Sequence, residues 1–234
     1  MKRNTDYKNE ALAALKGNWG KAVLATVIFM AIMYIAMGPY VYQSIQLQAT
    51  MMTASSALDA EVLSQLSTTY GYMGLYGLLG IFLIAPLMVG LVNAFRVLLL
   101  QGDREVPTNM YKIATKGYWH KVWGMFLMGV FIFLWSMLFV IPGIIKSFSY
   151  AMTPYILEEH PELTANEAID HSRAMMKGHK FDLFWLYLSF IGWGILCVFT
   201  LGIGTFWLFP YMQTAQASFY EDVKADYEVN GGLI

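Results

Sequence analysis

The sequence predicts an all-α, polytopic membrane protein: a bundle of six transmembrane helices in three antiparallel pairs, with both termini in the cytoplasm. Hydrophobic residues make up 57% of the 234 residues and charged residues 13%, whereas soluble domains average about 45–50% and 25%. Long segments also lack Asp, Glu, Lys and Arg, and a helix needs only about 20 mostly apolar residues to cross a bilayer. The charge-free segments are 22–58, 62–95, 122–145 and 183–220.

The distribution of Lys and Arg predicts the orientation, because loops rich in these residues stay in the cytoplasm. Positive residues up to Lys21 precede the first apolar run, the connection 42–70 has none, and a new cluster begins at Arg104. The first two spans should therefore run from inside to outside and back.

The other two apolar regions, 122–157 and 183–220, are too long for one span each. As straight helices they would measure about 54–57 Å, nearly twice the bilayer's hydrocarbon thickness of about 30 Å. Residues 141–143 (IPG) and 201–204 (LGIG) can stop a helix near the middle of each region. A four-span alternative would leave the positive residues of 144–180 outside. The predicted spans are 21–41, 71–98, 121–141, 143–158, 181–200 and 203–221.

Two segments outside the spans are predicted to be amphipathic helices. In the first, Thr164 and Glu167 have the spacing of a helix-capping box. The second precedes span 1, with Leu15 and Trp19 on one side, and should lie in the headgroup plane. The resulting organisation is an interfacial helix 1–20, a membrane domain 21–221 with an outer loop 42–70 and a cytoplasmic amphipathic helix 163–178, and a cytoplasmic tail 222–234.

Polar side chains within the predicted spans are the candidate functional residues. Such groups are costly in hydrocarbon and tend to face the bundle interior or a water-filled cavity. Predicted helices 4 and 6 carry most of them, so both helices are expected to sit centrally. The candidates are Lys146, Ser149, Tyr150, Arg96, Asn93, Gln213 and Gln216.

The two charged candidates also have structural interpretations. Lys146 can extend its side chain to the outer headgroups, or pair with Asp59 or Glu61, the acids on the predicted outer side. Arg96, near the inner surface, can reach the cytoplasmic headgroups, contact a lipid phosphate, or pair with acids at the inner ends of helices 4 and 6. Those acids are Glu158, Glu221 and Asp222.

Several function classes find no support. A net charge of −1 and the lack of a nucleic-acid-binding motif argue against nucleic acid. The histidines show no HExxH spacing and CxxC does not occur, so neither a metal nor another cofactor is predicted. His171 and Ser172 are adjacent on a helix and point in different directions. Without a nucleophile, base and orienting group, an enzyme is not predicted.

A set of short motifs is distinctive. It closely resembles a bacterial family of integral membrane proteins catalogued as domain of unknown function nine hundred and seventy-five. The resemblance covers about residues 8–222, and it implies a multi-pass protein of the bacterial cytoplasmic membrane with no established activity and no catalytic residue. The motifs are 15–21 (LKGNWGK), 142–147 (PGIIKS), 150–156 (YAMTPYI), 176–180 (MKGHK), 188–193 (LSFIGW), 201–204 (LGIG), 210–211 (PY) and 219–220 (FY).

Two kinds of function are compatible with these features. One is a non-enzymatic module that binds a lipid, a peptide or a partner membrane protein through its small polar interior. The other is a small-solute transporter or channel with polar helices 4 and 6 lining the path, because helices broken by Gly and Pro near polar residues can form a substrate path. Solute-selective flux across proteoliposomes would favour the second.

Overall fold

The computed structural model of the protein describes residues 1–53 and 60–232. Every regular element in these two ranges is helical, so the predicted all-α class is confirmed. A π-helical turn, Gly80–Ile84, joins the third helix to the fourth. The helices are α1 Asn4–Leu15, α2 Trp19–Thr53, α3 Ala60–Leu79, α4 Ala85–Gln101, α5 Val106–Thr115, α6 Tyr118–Leu138, α7 Val140–Ser149, α8 Thr153–Glu159, α9 Ala165–Met175, α10 Lys180–Leu188, α11 Ile191–Phe199 and α12 Thr205–Val229.

Within the described ranges, four helical stretches are long and apolar enough to cross a membrane. They overlap four of the six predicted spans. The predicted span 143–158 is instead divided between α7 and α8. The predicted span 203–221 lies mostly in α12, which contains polar residues and does not reach the same apolarity. The four stretches are Trp19–Thr53, Ala60–Gln101, Tyr118–Leu138 and Lys180–Phe199.

Helix α2 is longer than the predicted first span. It has 35 residues, which corresponds to about 52 Å at 1.5 Å per residue. We predicted its end near residue 41 and a loop over 42–70, but residues 42–53 contain neither Gly nor Pro and are rich in Gln, Leu, Ala and Met, which favour helix. The predicted loop is therefore helical over its described part, and 54–59 lies outside the described residues.

The chain reverses between α6 and α7. Phe139, between the two helices, has an extended backbone (φ −158°, ψ 147°). The returning helix packs so closely that a Cβ atom on Gly143 would lie 2.2 Å from the Ser136 hydroxyl oxygen. Further from the turn, the Lys146 ammonium lies 4.4 Å from the centre of the Trp135 ring. Glycine at 143 is therefore required for this close approach.

A second reversal joins α11 to α12 at the LGIG sequence. Leu201 and Gly202 both adopt positive φ values, 51° and 87°, and glycine tolerates this conformation without steric cost. The rings of Phe190 and Tyr211, on either side of the turn, meet edge to face with centroids 5.0 Å apart.

A break between α7 and α8 divides the predicted fourth span. Pro154 lies in the first turn of α8, a position that proline favours because no backbone N–H is needed there. The buried Ser172 hydroxyl of α9 donates to the Ser149 carbonyl oxygen at 3.0 Å and accepts from the Met152 N–H at 3.1 Å. The backbone groups released by the break are thus satisfied within the protein.

Helix α9 is the predicted amphipathic helix. Its capping box is formed: the Thr164 side chain accepts from the Glu167 N–H, and the Glu167 carboxylate accepts from the Thr164 N–H at 2.7 Å. The apolar face packs against α6 and α8 rather than lying in the membrane surface. The residues of this face are all buried: Ala168, Ile169, Ser172, Met175 and Met176.

The apolar face of α1 likewise packs on protein. We predicted that this helix lies in the headgroup plane, but Tyr7, Ala11 and Leu15 are fully buried, and α1 contacts α12 and α4. The Tyr7 hydroxyl donates to the Asp222 carboxylate at 2.6 Å, which ties α1 to the last helix.

The centre of the bundle differs from the prediction. We expected predicted helices 4 and 6 to sit together at the axis. Helix α12 does pack against α1, α2 and α4, but α7 packs against α6, α9 and α10 and leaves Ile144 and Ile145 about half exposed. The hydrophobic core contains buried residues of α4, α8 and α12 together with residues of α1, α2, α5, α9 and α10.

Candidate functional site

A partly buried ionic network links α4, α8 and α12. Arg96 of α4 donates through Nε to the Glu221 carboxylate of α12, and its Nη2 atom lies 3.1 Å from Oε1 of Glu159 at the end of α8. The guanidinium carbon lies 5.1 Å from the centre of the Tyr220 ring. Of the three acids proposed as alternative partners of Arg96, Glu221 forms the pair. The other acid that contacts Arg96 is Glu159, which was not among the three.

Glu159 is the most connected carboxylate of this network. Its Oε2 atom accepts a 2.6 Å hydrogen bond from the Tyr220 hydroxyl, and Oε1 accepts from Lys224. Burial raises its pKa, but the hydrogen bonds from Lys224 and Tyr220 and the charge of Arg96 outweigh this, so the pKa falls to about 2. Glu159 therefore remains ionised at physiological pH.

A second buried ion pair lies beside the network. The side chain of Lys121 is only 2% exposed, and its Nζ atom lies 2.5 Å from the Glu158 carboxylate. The same ammonium donates to the backbone carbonyls of Ile113 and Lys116. From the sequence, Lys121 belongs to the basic cluster that begins at Arg104 and is expected on the cytoplasmic surface. Its burial was not predicted, because it depends on carbonyl groups at the end of α5.

A polar cavity of about 430 Å³ opens between α4, α5 and α8 beside these ion pairs. Basic, acidic and amide side chains line it, so its wall carries both donors and acceptors. The polar lining residues are Asn93, Arg96, Gln101, Asp103, Asn109, Lys112, Lys116, Glu158 and Glu159.

Asn93, a predicted candidate, lines this cavity and ties α4 to α8. Its amide nitrogen donates to the carbonyl oxygens of Val89 at 3.0 Å and Pro154 at 2.9 Å. Because both partners are acceptors, they fix the orientation of the amide. The buried Oδ1 atom has no hydrogen-bond partner among the described residues.

The candidates on α7 lie away from the ionic network. Lys146 contacts the ring of Trp135 and lies 6.0 Å from the Tyr150 ring centre. It makes no ion pair in the part of the chain that the structure describes; the proposed partner Asp59 falls outside that part. Ser149 is buried and donates to the Ile145 carbonyl oxygen of its own helix at 2.8 Å.

An apolar groove of about 350 Å³ runs along α7 and α10. Its walls are aliphatic and aromatic, and two lysines stand at its rim. The rings of Phe148 and Phe184 meet edge to face at 6.1 Å. The apolar lining residues are Ile144, Ile145, Phe148, Phe181 and Phe184, and the rim residues are Lys177 and Lys180.

The two glutamine candidates of α12 are not brought together with Lys146. Gln216 is buried, and the half-buried Gln213 has an Oε1 atom without a hydrogen-bond partner among the described residues. Helix α12 packs mainly on α1, α4 and α2, whereas α7 packs mainly on α6. The polar faces of α7 and α12 therefore do not form one continuous lining.

The acidic and histidine side chains of the described ranges form no group of three suited to hold a metal ion. His160 pairs with Glu162 at 2.9 Å, and His179 lies between Asp182 and Asp226 at 3.4 and 3.2 Å. These pairs join neighbouring segments at the surface.

Among known proteins, a similarity is found for the C-terminal part of the chain. No curated protein and no solved structure matches the chain. The family model described as Protein of unknown function (DUF975) matches residues 137–227, a stretch that contains the groove and both carboxylates bound to Arg96; the 15–21 motif lies outside the match. Over residues 137–227 the chain is therefore similar to this family, and the resemblance predicted from the motifs is confirmed over that stretch.

Proposed function

We propose that the protein is a non-enzymatic membrane module that binds an anionic phospholipid in the groove between α7 and α10. The observation that carries this proposal is the combination of an apolar groove, large enough for part of an acyl chain, with Lys177 and Lys180 beside it. Acyl chains fit the aliphatic and aromatic walls, and the lysines fit a negatively charged headgroup. A zwitterionic lipid would gain less from the same rim.

The charges around the groove favour an anion. Neither Lys177 nor Lys180 has an ion-pair partner within 4 Å among the described residues. Lys146, on the same helix as Ile144 and Ile145, contacts aromatic rings instead of a carboxylate. Each lysine near an anionic membrane surface contributes about 1 kcal/mol, so the pair supplies a real preference.

The proposed topology is six spans with both termini in the cytoplasm of a bacterial cell. The reversals at Phe139 and Leu201 support it, because each returns the chain alongside the preceding helix. With Cys197 replaced by Ser, a single cysteine at Arg173→Cys or Asn230→Cys should react with a membrane-impermeant maleimide only after permeabilisation. Gln46→Cys should react in intact cells. Labelling of Arg173→Cys in intact cells would contradict six spans.

The lipid test compares fluorescent phosphatidylglycerol and phosphatidylcholine with identical acyl chains, each titrated onto the purified protein in detergent micelles. We expect tighter binding of phosphatidylglycerol. The double variant Lys177→Gln/Lys180→Gln should weaken it by about fivefold per lysine, since 1 kcal/mol corresponds to about that factor. Ile145→Trp, which fills the groove, should weaken both lipids.

The matched control is Arg3→Gln/Lys16→Gln, which removes the same charge from the exposed surface outside the groove and should leave the binding of phosphatidylglycerol unchanged. Equal affinity for the two lipids in the unchanged protein would refute a charged rim. Normal binding by Ile145→Trp would show that the acyl chains lie elsewhere.

A further inference from the structure

The polar cavity between α4, α5 and α8 has a charge pattern of its own. Two of its carboxylates are already neutralised by neighbouring cations: Glu158 by the buried Lys121, and Glu159 by Arg96 and Lys224. Buried carboxylates that are paired in this way have little capacity to hold a further cation. The wall they form is therefore close to electrically neutral.

The third carboxylate, Asp103, is held by hydrogen bonds. It accepts from the Asn109 amide at 2.9 Å and from the Glu105 N–H at 3.0 Å. The hydrogen bond from Asn109 has the larger effect and that from Glu105 the next; both lower the pKa of Asp103 and keep it ionised. The charge of Lys112 acts on Asp103, but the two groups lie beyond ion-pair distance.

Lys112 and Lys116 remain without an ion pair across residues 1–53 and 60–232. They lie one helical turn apart, Lys112 near the end of α5 and Lys116 just beyond it, and both line the cavity. When the ion-pair partners are included, five cations and four carboxylates surround this cavity. The cations are Arg96, Lys112, Lys116, Lys121 and Lys224, and the carboxylates are Asp103, Glu158, Glu159 and Glu221. The excess positive charge therefore lies at these two lysines.

We propose that this cavity is a second binding site, for a phosphate group held by Lys112 and Lys116. An ammonium group binds phosphate as a point charge through charge-assisted hydrogen bonds. The cavity volume of about 430 Å³ falls within the range of small-molecule sites, about 300–1,000 Å³.

The ligand chemistry, a phosphate group, is shared by a free phosphorylated solute and a phospholipid headgroup. The experiment therefore uses the full-length protein in phosphatidylcholine nanodiscs, titrated with inorganic phosphate by calorimetry, and repeats the titration in nanodiscs containing phosphatidylglycerol. We expect binding of phosphate that Lys112→Gln/Lys116→Gln weakens by about tenfold or more, because two charge-assisted contacts are lost. The control Arg3→Gln/Lys16→Gln, which removes two exposed positive charges outside both the cavity and the groove, should bind phosphate normally.

The nanodisc arms identify the source of the phosphate. If phosphatidylglycerol competes for the site, inorganic phosphate should bind more weakly in its presence, and Lys112→Gln/Lys116→Gln should abolish this competition. That result would support the site with a lipid headgroup as its ligand. Unchanged binding would support it with a soluble ligand. The proposal fails if the unchanged protein binds no phosphate and, in addition, Lys112→Gln/Lys116→Gln leaves phosphatidylglycerol binding intact. It also fails if both double variants weaken phosphate binding equally. The groove proposal survives either failure.

Discussion

Replacing Arg96 by Met should destabilise the protein by about 3 kcal/mol, the lower end of the range for removing one partner of a buried ion pair. Methionine preserves much of the apolar stem but leaves the Glu221 carboxylate with no cation, while Glu159 keeps Lys224. The expected loss of stability lies at the lower end of this range because the side chains of Glu221 and Glu159 are still 27% and 22% exposed to solvent. Denaturant unfolding in detergent, followed by tryptophan fluorescence, measures the change.

The matched control is the same substitution at an exposed arginine. Arg173 pairs with Asp170 at 3.1 Å, and both side chains are more than half exposed, so Arg173→Met should cost less than about 1 kcal/mol. The double variant Arg96→Met/Glu221→Gln should recover part of the lost stability, because no unpaired carboxylate remains. If Arg96→Met were no more harmful than Arg173→Met, the network would have no structural role.

The features predicted correctly from sequence depend on local chemistry. Long apolar runs indicate segments that lie in lipid, where every backbone N–H and C=O group must find its hydrogen bond within the protein. A helix satisfies these groups within one segment, so helices are predicted directly. The capping box of Thr164 and Glu167 forms within one turn and needs no tertiary information. Glu221 could be named as one of three candidate partners of Arg96 because the predicted topology brings these residues to the same end of the bundle.

The features that were missed depend on tertiary contacts or on signals that were not used. Lys121 opens an apolar helix, a position equally suited to a surface lysine, and only the placement of α5 buries it. Pro154 and Pro107 were usable signals, since proline in a first turn marks the starts of α8 and α5. The polar cavity required all three helices and could not be read from any one segment.

The close packing of α5 on α4 yields the second large effect. Gly90 of α4 faces α5 so closely that an added Cβ atom would lie 2.3 Å from the Met110 carbonyl oxygen and 3.0 Å from the Ala114 Cβ. Because the nearest atom belongs to the backbone, it cannot rotate away, and the two helices must separate. Gly90→Ala should therefore destabilise the protein by about 1–3 kcal/mol, the usual cost of overpacking.

Gly74 of α3 provides the control, since its added Cβ would meet nothing within 4 Å. Gly74→Ala should be neutral or stabilise the protein by roughly 0.5–1 kcal/mol, the intrinsic advantage of alanine in a helix. The opposite signs of the two substitutions separate packing from helix propensity. Because α5 carries Lys112 and ends next to Lys116, the displacement in Gly90→Ala should also weaken phosphate binding in the cavity, while Gly74→Ala leaves it intact. Equal stability of the two variants would mean that α5 does not pack against Gly90.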